Sequence, residues 1–214
     1  MSGSILVIDG HFQPLGGWLM AQTLRAAGFD VAERTQSHDN GGDPDHVTPA
    51  DCQGRDTIMC YSHGGLSLKE NTDNFKTLKC RRVIGVMAVQ SPQGLWAADW
   101  DFPESVEQVI MFQLTPDIAC PVSEPVQQID GNKPELWYDW GDNNALPAIL
   151  AADAQDNFAN RRININLKPL VPWWRRWLGI SNHTTYENDP ALHAFIVRIM
   201  ALSPPTPPLI PETP

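Results

Sequence analysis

Basic residues are scarce in this sequence of 214 residues. It contains 15 Lys and Arg against 25 Asp and Glu, which gives a formal net charge of −10. Binding to a phosphate backbone relies on clustered Lys and Arg, and the densest basic cluster here is the pair Arg175-Arg176. The charge balance argues against a nucleic-acid-binding protein, so we expect no nucleic acid partner.

Long apolar runs are also missing. No apolar stretch approaches the roughly 20 residues that a membrane-spanning helix needs. The first nine residues, MSGSILVID, lack the charged start of a signal peptide and turn polar after four apolar residues. We interpret them as a strand and expect a cytoplasmic protein without a transmembrane segment.

Cysteines are few, and their spacing is not that of a metal site. The four cysteines, Cys52, Cys60, Cys80 and Cys120, include no C-x-x-C pair. Without a signal peptide, free thiols are favoured over disulfides, although pairing of Cys52 with Cys60 stays open.

Histidines and carboxylates gather in one loop, at His38, Asp39, Asp43, Asp45 and His46. These residue types can bind divalent metals, but their spacing matches no recognised metal motif. A solvated acidic loop is therefore favoured, and we expect neither a metal nor an organic cofactor.

Short apolar runs alternate with helix-compatible segments along the chain. A continuous run such as ILVI at 5–8 is typical of a strand buried on both faces of a parallel sheet. The predicted strands cover 5–8, 29–32, 58–60, 83–89, 109–114, 135–138 and 163–167, and the predicted helices cover 18–27, 145–154 and 190–202. This alternation predicts an α/β fold with a mostly parallel central sheet flanked by helices, in one domain over 1–202 followed by a proline-rich tail over 203–214.

A serine stands where the third predicted strand ends. Residues 60–65 read CYSHGG, between an apolar run and a helix-compatible stretch. A tight turn at such a point lifts a hydroxyl clear of the sheet and aims the next backbone N–H groups at a developing oxyanion. The pattern predicts a nucleophilic serine, and the alternative is a glycine-rich connection with a hydrogen-bonded serine.

The segment Cys60-Tyr61-Ser62-His63-Gly64 resembles the nucleophile elbow, G-x-S-x-G, of the α/β-hydrolase superfamily, with cysteine at the first glycine position. The opening, ILVIDGHF…GGWLMAQTLRAAGFDV, also resembles lipase- and esterase-like members, with Asp9-Gly10 where His-Gly is usual. The resemblance implies little or no cap domain. It also implies an oxyanion hole made by the backbone N–H of His11, or of Phe12 beside it, and the backbone N–H of His63.

The resemblance further implies a triad in the order serine, acid, histidine. His183 lies in the loop GISNHTTYENDP, which resembles the segment of the catalytic histidine. In YDWGDNNALP, Asp142 is the first choice for the acid and Asp139 the second, although an ungapped match puts Asn143 there. His193 lies beside the apolar stripe of the last helix, which predicts a solvated side chain.

Aromatic residues are the remaining candidates for binding substrate or a partner. Trp96 and Trp100, together with Phe12, are candidates for a substrate-binding wall, and packing in the core is the alternative. The segment VPWWRRW at 171–177 is expected to pack on the core or bind a partner, with contact to a lipid interface as the less favoured alternative.

Taken together, the motifs predict a serine esterase or lipase-like hydrolase. Its substrate would be a small-molecule ester or a lipid, cleaved through Ser62, His183 and Asp142 by way of an acyl-enzyme. One alternative is an acyltransferase or thioesterase with the same triad. Another is a hydrolase-like binding protein without turnover.

Overall fold

The computed structural model describes residues 3–10, 16–35, 47–62, 64–71, 77–88, 102–103, 105–114, 136–151, 162–167, 185–186 and 188–202. Strands and helices alternate along this part of the chain. In order they are β1 (Ser4–Ile8), α1 (Gly16–Ala26), β2 (Asp30–Arg34), α2 (Pro49–Cys52), β3 (Thr57–Tyr61), α3 (Gly64–Asn71), β4 (Cys80–Val86), β5 (Val106–Leu114), β6 (Leu136–Asp139), α4 (Ala145–Leu150), β7 (Arg162–Leu167) and α5 (Pro190–Leu202).

The strands form one seven-stranded sheet in the order β2-β1-β3-β4-β5-β7-β6. Every neighbouring pair is parallel. With helices on its flanks, this is the α/β fold that the alternation predicts. All the strands end at the same edge of the sheet, which is where parallel sheets place their binding sites.

Apolar side chains cover both faces of the sheet, because successive residues of a strand point to opposite sides. In β1, Ile5 and Val7 belong to a cluster with residues of α1, α4 and α5. Leu6 and Ile8 belong to a second cluster, which contains Leu68 of α3. Burial on both faces explains why β1 reads as a continuous apolar run in the sequence.

Most element boundaries differ from the sequence prediction by a few residues, and two of them differ the most. The strand predicted over 83–89 runs from Cys80 to Val86, and it ends there because Met87 takes a left-handed conformation with φ of +48°. The helix predicted over 145–154 is described from Ala145 to Leu150.

The prediction of a solvated His193 is wrong, because the side chain is buried with 5% of its surface exposed. The helix α5 packs against both α1 and α4, so it buries more of its circumference than one apolar stripe. A single stripe in the sequence underestimates the buried surface of a helix with two helical neighbours.

No helix in the described ranges combines the length and the apolar character that crossing a membrane requires.

Candidate active site

Ser62 forms the turn between β3 and α3. Its backbone has φ of +46°, in the left-handed region that residues other than glycine rarely occupy. Its N–H donates to the carbonyl of Val86 over 3.2 Å, and its carbonyl accepts the N–H of Gly65 over 3.1 Å. These bonds fasten the turn to β4 on one side and to the start of α3 on the other.

Two glycines let neighbouring backbone approach this turn closely. A Cβ atom at Gly64 would lie 2.5 Å from the carbonyl oxygen of Ile8, so only glycine lets α3 start this close to β1. A Cβ atom at Gly10 would lie 2.8 Å from the Cβ of Ser62 and 3.4 Å from its Oγ. The backbone that follows β1 therefore lies against the serine side chain.

The half-buried Ser62 side chain makes no hydrogen bond to any other described residue. The positive φ of Ser62 is a strained conformation of a kind that tends to cluster at functional sites. A second one stands directly beside it, at Met87 after β4, whose N–H donates to the carbonyl of Phe112 over 2.8 Å. Elsewhere in the described ranges, positive φ angles belong to glycines.

Cys60 occupies the position where the elbow motif has its first glycine. Its side chain is fully buried in the cluster that contains Leu68 of α3, and its Sγ lies 3.8 Å from the carbonyl oxygen of Ile84. The cysteine side chain therefore packs beneath the helix as a small apolar group. The departure from glycine is accommodated within the core.

The described cysteines, Cys52, Cys60 and Cys80, are free and buried. Burial raises the pKa of the Cys52 thiol to about 12, and it also raises the pKa of Cys60 and Cys80. Alkylation proceeds through the thiolate, which a raised pKa makes rare at pH 8. We expect iodoacetamide at pH 8 to leave all three unmodified in the native protein and to modify all three in urea, as peptide mass mapping can show. Rapid modification of Cys60 in the native protein would contradict this packing.

Asp139 and Asp142 lie at the far edge of the sheet from Ser62. Tyr61, Val86, Phe112, Ile165 and Tyr138 form one row of paired residues across β3, β4, β5, β7 and β6. Four strand intervals of about 4.8 Å separate β3 from β6, which is about 19 Å.

The turn after β6 keeps Asp142 at that edge. The N–H of Asp142 donates to the carbonyl of Asp139 over 2.9 Å, and its Oδ1 accepts the N–H of Asn144 over 2.8 Å. An imidazole that bridges a hydroxyl and a carboxylate by two hydrogen bonds spans only about 8 Å. The strand order therefore does not bring Asp142 or Asp139 next to Ser62.

Asp142 instead lines a cavity of about 490 Å³ at the carboxyl ends of β6 and β7. Its apolar walls include Trp140, Leu146, Ile165 and Phe195. The rings of Trp140 and Phe195 meet edge to face with their centroids 5.4 Å apart. The volume is in the range of small-molecule sites, but the cavity lies at the edge of the sheet away from β3.

The other predicted site residues lie outside the described part of the chain. They are His11 and Phe12 after β1, His63 after Ser62, Trp96 and Trp100 after β4, and His183 before α5. The acidic loop with His38 and His46, the segment 171–177 and the tail 203–214 lie outside it as well.

One residue beside the turn was not predicted as a site residue. Asp9 is the first residue after β1 and is buried, with 4% of its surface exposed. Its Oδ1 accepts the N–H of Gly10 over 2.9 Å and the N–H of Gly17 over 3.1 Å. The available signal in the sequence was an acidic residue that follows a buried strand directly and precedes a glycine.

No protein-family model matches this chain, and neither the curated proteins nor the solved structures give a significant match. The likeness to α/β-hydrolases therefore stays a prediction from the sequence motifs.

Proposed function

We propose that the protein is a serine hydrolase that cleaves carboxylic esters, with Ser62 as its nucleophile. The observation that carries the proposal is the Ser62 turn itself. A half-exposed serine takes a left-handed φ of +46° between a buried strand and a helix, at the carboxyl edge of a parallel sheet. A turn of this kind presents a hydroxyl to substrate and directs the following backbone N–H groups toward one point.

The proposed chemistry is acyl transfer in two halves. His183 removes the proton of the Ser62 hydroxyl while Oγ bonds to the ester carbonyl carbon, and the carbonyl becomes an oxyanion. His183 then gives that proton to the departing alkoxide, the ester C–O bond breaks, and an acyl-enzyme remains. Water then adds to the acyl carbon while His183 removes its proton. His183 returns that proton to Oγ as the bond between Oγ and the acyl carbon breaks, which releases the carboxylic acid and free Ser62.

The oxyanion of each tetrahedral intermediate needs donors that are already in place. The resemblance assigns this role to the backbone N–H groups of His11, or Phe12 beside it, and His63. Contact between Gly10 and the Ser62 side chain supports the first assignment, because His11 directly follows Gly10. One such donor contributes about 10²–10³ in rate.

The sheet order favours a different acid from the one that the sequence motif predicts. The strand β5 lies two intervals from β3, about 10 Å, whereas β6 lies four intervals away. In the sequence, Asp117 comes three residues after the last residue of β5, and three residues of chain can span about 10 Å. Asp117 is outside the described residues, and its candidacy rests on the position of β5 and on the sequence. We propose Asp117 over Asp142 as the group that orients His183.

A fluorophosphonate probe tests the proposed nucleophile. Activated serine attacks the phosphorus, an O–P bond forms and fluoride leaves, so labelling reports the reactive hydroxyl. We expect labelling of the wild-type protein on the peptide that contains Ser62, and no labelling of Ser62→Ala. Ser67, a buried serine on α3, provides a matched control, because Ser67→Ala should be labelled like the wild type. A well-folded wild-type protein that resists the probe would contradict the proposal and favour a binding protein.

A further inference from the structure

The carboxylate of Asp9 binds two backbone amides, one beside Ser62 and one at the start of α1. Its Oδ1 accepts one N–H from Gly10, directly after β1, and another from Gly17, the second residue of α1. A buried carboxylate is costly unless hydrogen bonds compensate for lost water, so these bonds are a strong constraint. One oxygen atom thereby holds the amides of Gly10 and Gly17.

At the helix end, the charge of Asp9 has a direct physical effect. The first N–H groups of a helix have no partner within the helix, and the helix dipole favours a negative charge there. The Gly17 amide is one of these groups, and the bond to Asp9 satisfies it. A Cβ atom at Gly17 would lie 2.8 Å from the Cγ of Asp9, so the contact requires glycine.

At the end of β1, the same carboxylate binds the backbone residue that lies beside Ser62. The amide of Gly10 donates to Asp9. A Cβ atom built on Gly10 would lie 3.4 Å from the Oγ of Ser62, so this residue lies directly beside the serine side chain. A shift of the carboxylate would therefore move the backbone that touches the serine. Oxyanion donors are effective only when they are fixed before the reaction, and a displacement of about 1 Å can cost 10² in rate.

We infer that Asp9 is a positioning residue, whose carboxylate fixes the backbone after β1 in the arrangement that binds the oxyanion. The inference rests on the proposed hydrolase function. In this role Asp9 acts through the two backbone amides that donate to its Oδ1, and it takes no part in the chemical steps itself.

The test is Asp9→Asn, which keeps the shape of the side chain and an acceptor oxygen but removes the charge. Neutral acceptors make weaker hydrogen bonds than carboxylates, so the backbone should be held less firmly. We expect kcat for p-nitrophenyl acetate to fall roughly 10–100-fold with KM within about twofold. Inhibition by a trifluoromethyl ketone, which forms an oxyanion on the serine, should weaken by a similar factor.

Gly17→Ala tests the same contact from its other partner, because the new methyl group must displace the Asp9 carboxylate. It should lower kcat in the same direction, and it provides a second variant if Asp9→Asn folds poorly. Asp51→Asn is the matched control. Asp51 also accepts an N–H at a helix start, from Thr48 over 2.9 Å, but on α2. It should change the melting temperature more than kcat.

The outcomes separate the inference from the proposed function. The inference alone would be overturned if a folded Asp9→Asn protein had wild-type activity. It would also be overturned if kcat in Asp9→Asn fell only in proportion to the loss of stability, as expected for Asp51→Asn. Failure of Ser62 to react with fluorophosphonate in the wild-type protein would overturn the proposed function and the inference with it.

Discussion

The variant His183→Ala is expected to hydrolyse p-nitrophenyl esters at least about 10⁴-fold more slowly than the wild type. A serine hydroxyl is a weak nucleophile until a base removes its proton, and triad members act as one unit, so losing the base removes nearly all of their joint effect. The rate left over would come from substrate binding and the oxyanion donors. The measurement is kcat with p-nitrophenyl acetate, accompanied by a melting curve from circular dichroism.

The control for this variant is His46→Ala, which removes a histidine from the acidic loop and should stay within a few-fold of the wild type. We expect His183→Ala to melt close to the wild-type temperature, since the role proposed for His183 is catalytic and not one of packing in the core. Near-normal turnover in His183→Ala would show that another group serves as the base.

The second large effect concerns the acid, where two variants should behave differently. We expect Asp117→Asn to lower kcat by roughly 10²–10⁴, because an amide in place of the carboxylate holds the imidazole in the wrong tautomer. KM should change little, since the carboxylate acts on the histidine and not on the substrate. Asp142→Asn should keep kcat within about threefold of the wild type, because Asp142 lies at the β6 edge about 19 Å from the strand of Ser62.

The pair is informative because the two substitutions are chemically identical. The reverse result, with Asp142→Asn strongly impaired and Asp117→Asn normal, would support the acid predicted from the sequence motif. It would also require the hydrogen bond from the Asp142 N–H to the Asp139 carbonyl to break, so that the turn after β6 could move. Equal and small effects in both variants would contradict a carboxylate in the triad at either position.

The strands and the serine turn were predictable from local sequence. Runs such as ILVI at 5–8 are continuous because both faces of β1 are covered, and this pattern is visible without a structure. The two glycines after His63 indicated a tight turn at Ser62 in the same way. Each of these features depends on residues that are close together in the chain.

The order of the strands was not predictable in this way. The sequence places the strand 136–139 before 162–167, yet β7 lies between β5 and β6 in the sheet. An acid chosen by its motif alone could therefore fall on the outermost strand. Nothing local in YDWGDNNALP shows that its strand is at the edge.

Contacts between distant segments explain the other differences. His193 is buried because α5 has two helical neighbours, and Asp9 bonds to an amide eight residues away. Both depend on how helices are placed on the sheet. Hydrophobic periodicity describes one helix at a time and carries no information about that placement.

The proposed activation of the Ser62 hydroxyl by His183 can be checked in a crystal structure of the protein after reaction with a fluorophosphonate. We expect a covalent O–P bond at Ser62 Oγ, with a ring nitrogen of His183 within about 3.2 Å of an oxygen of the adduct or of Oγ. A phosphonate attached to another residue, or His183 on the opposite face of the sheet from Ser62, would contradict it.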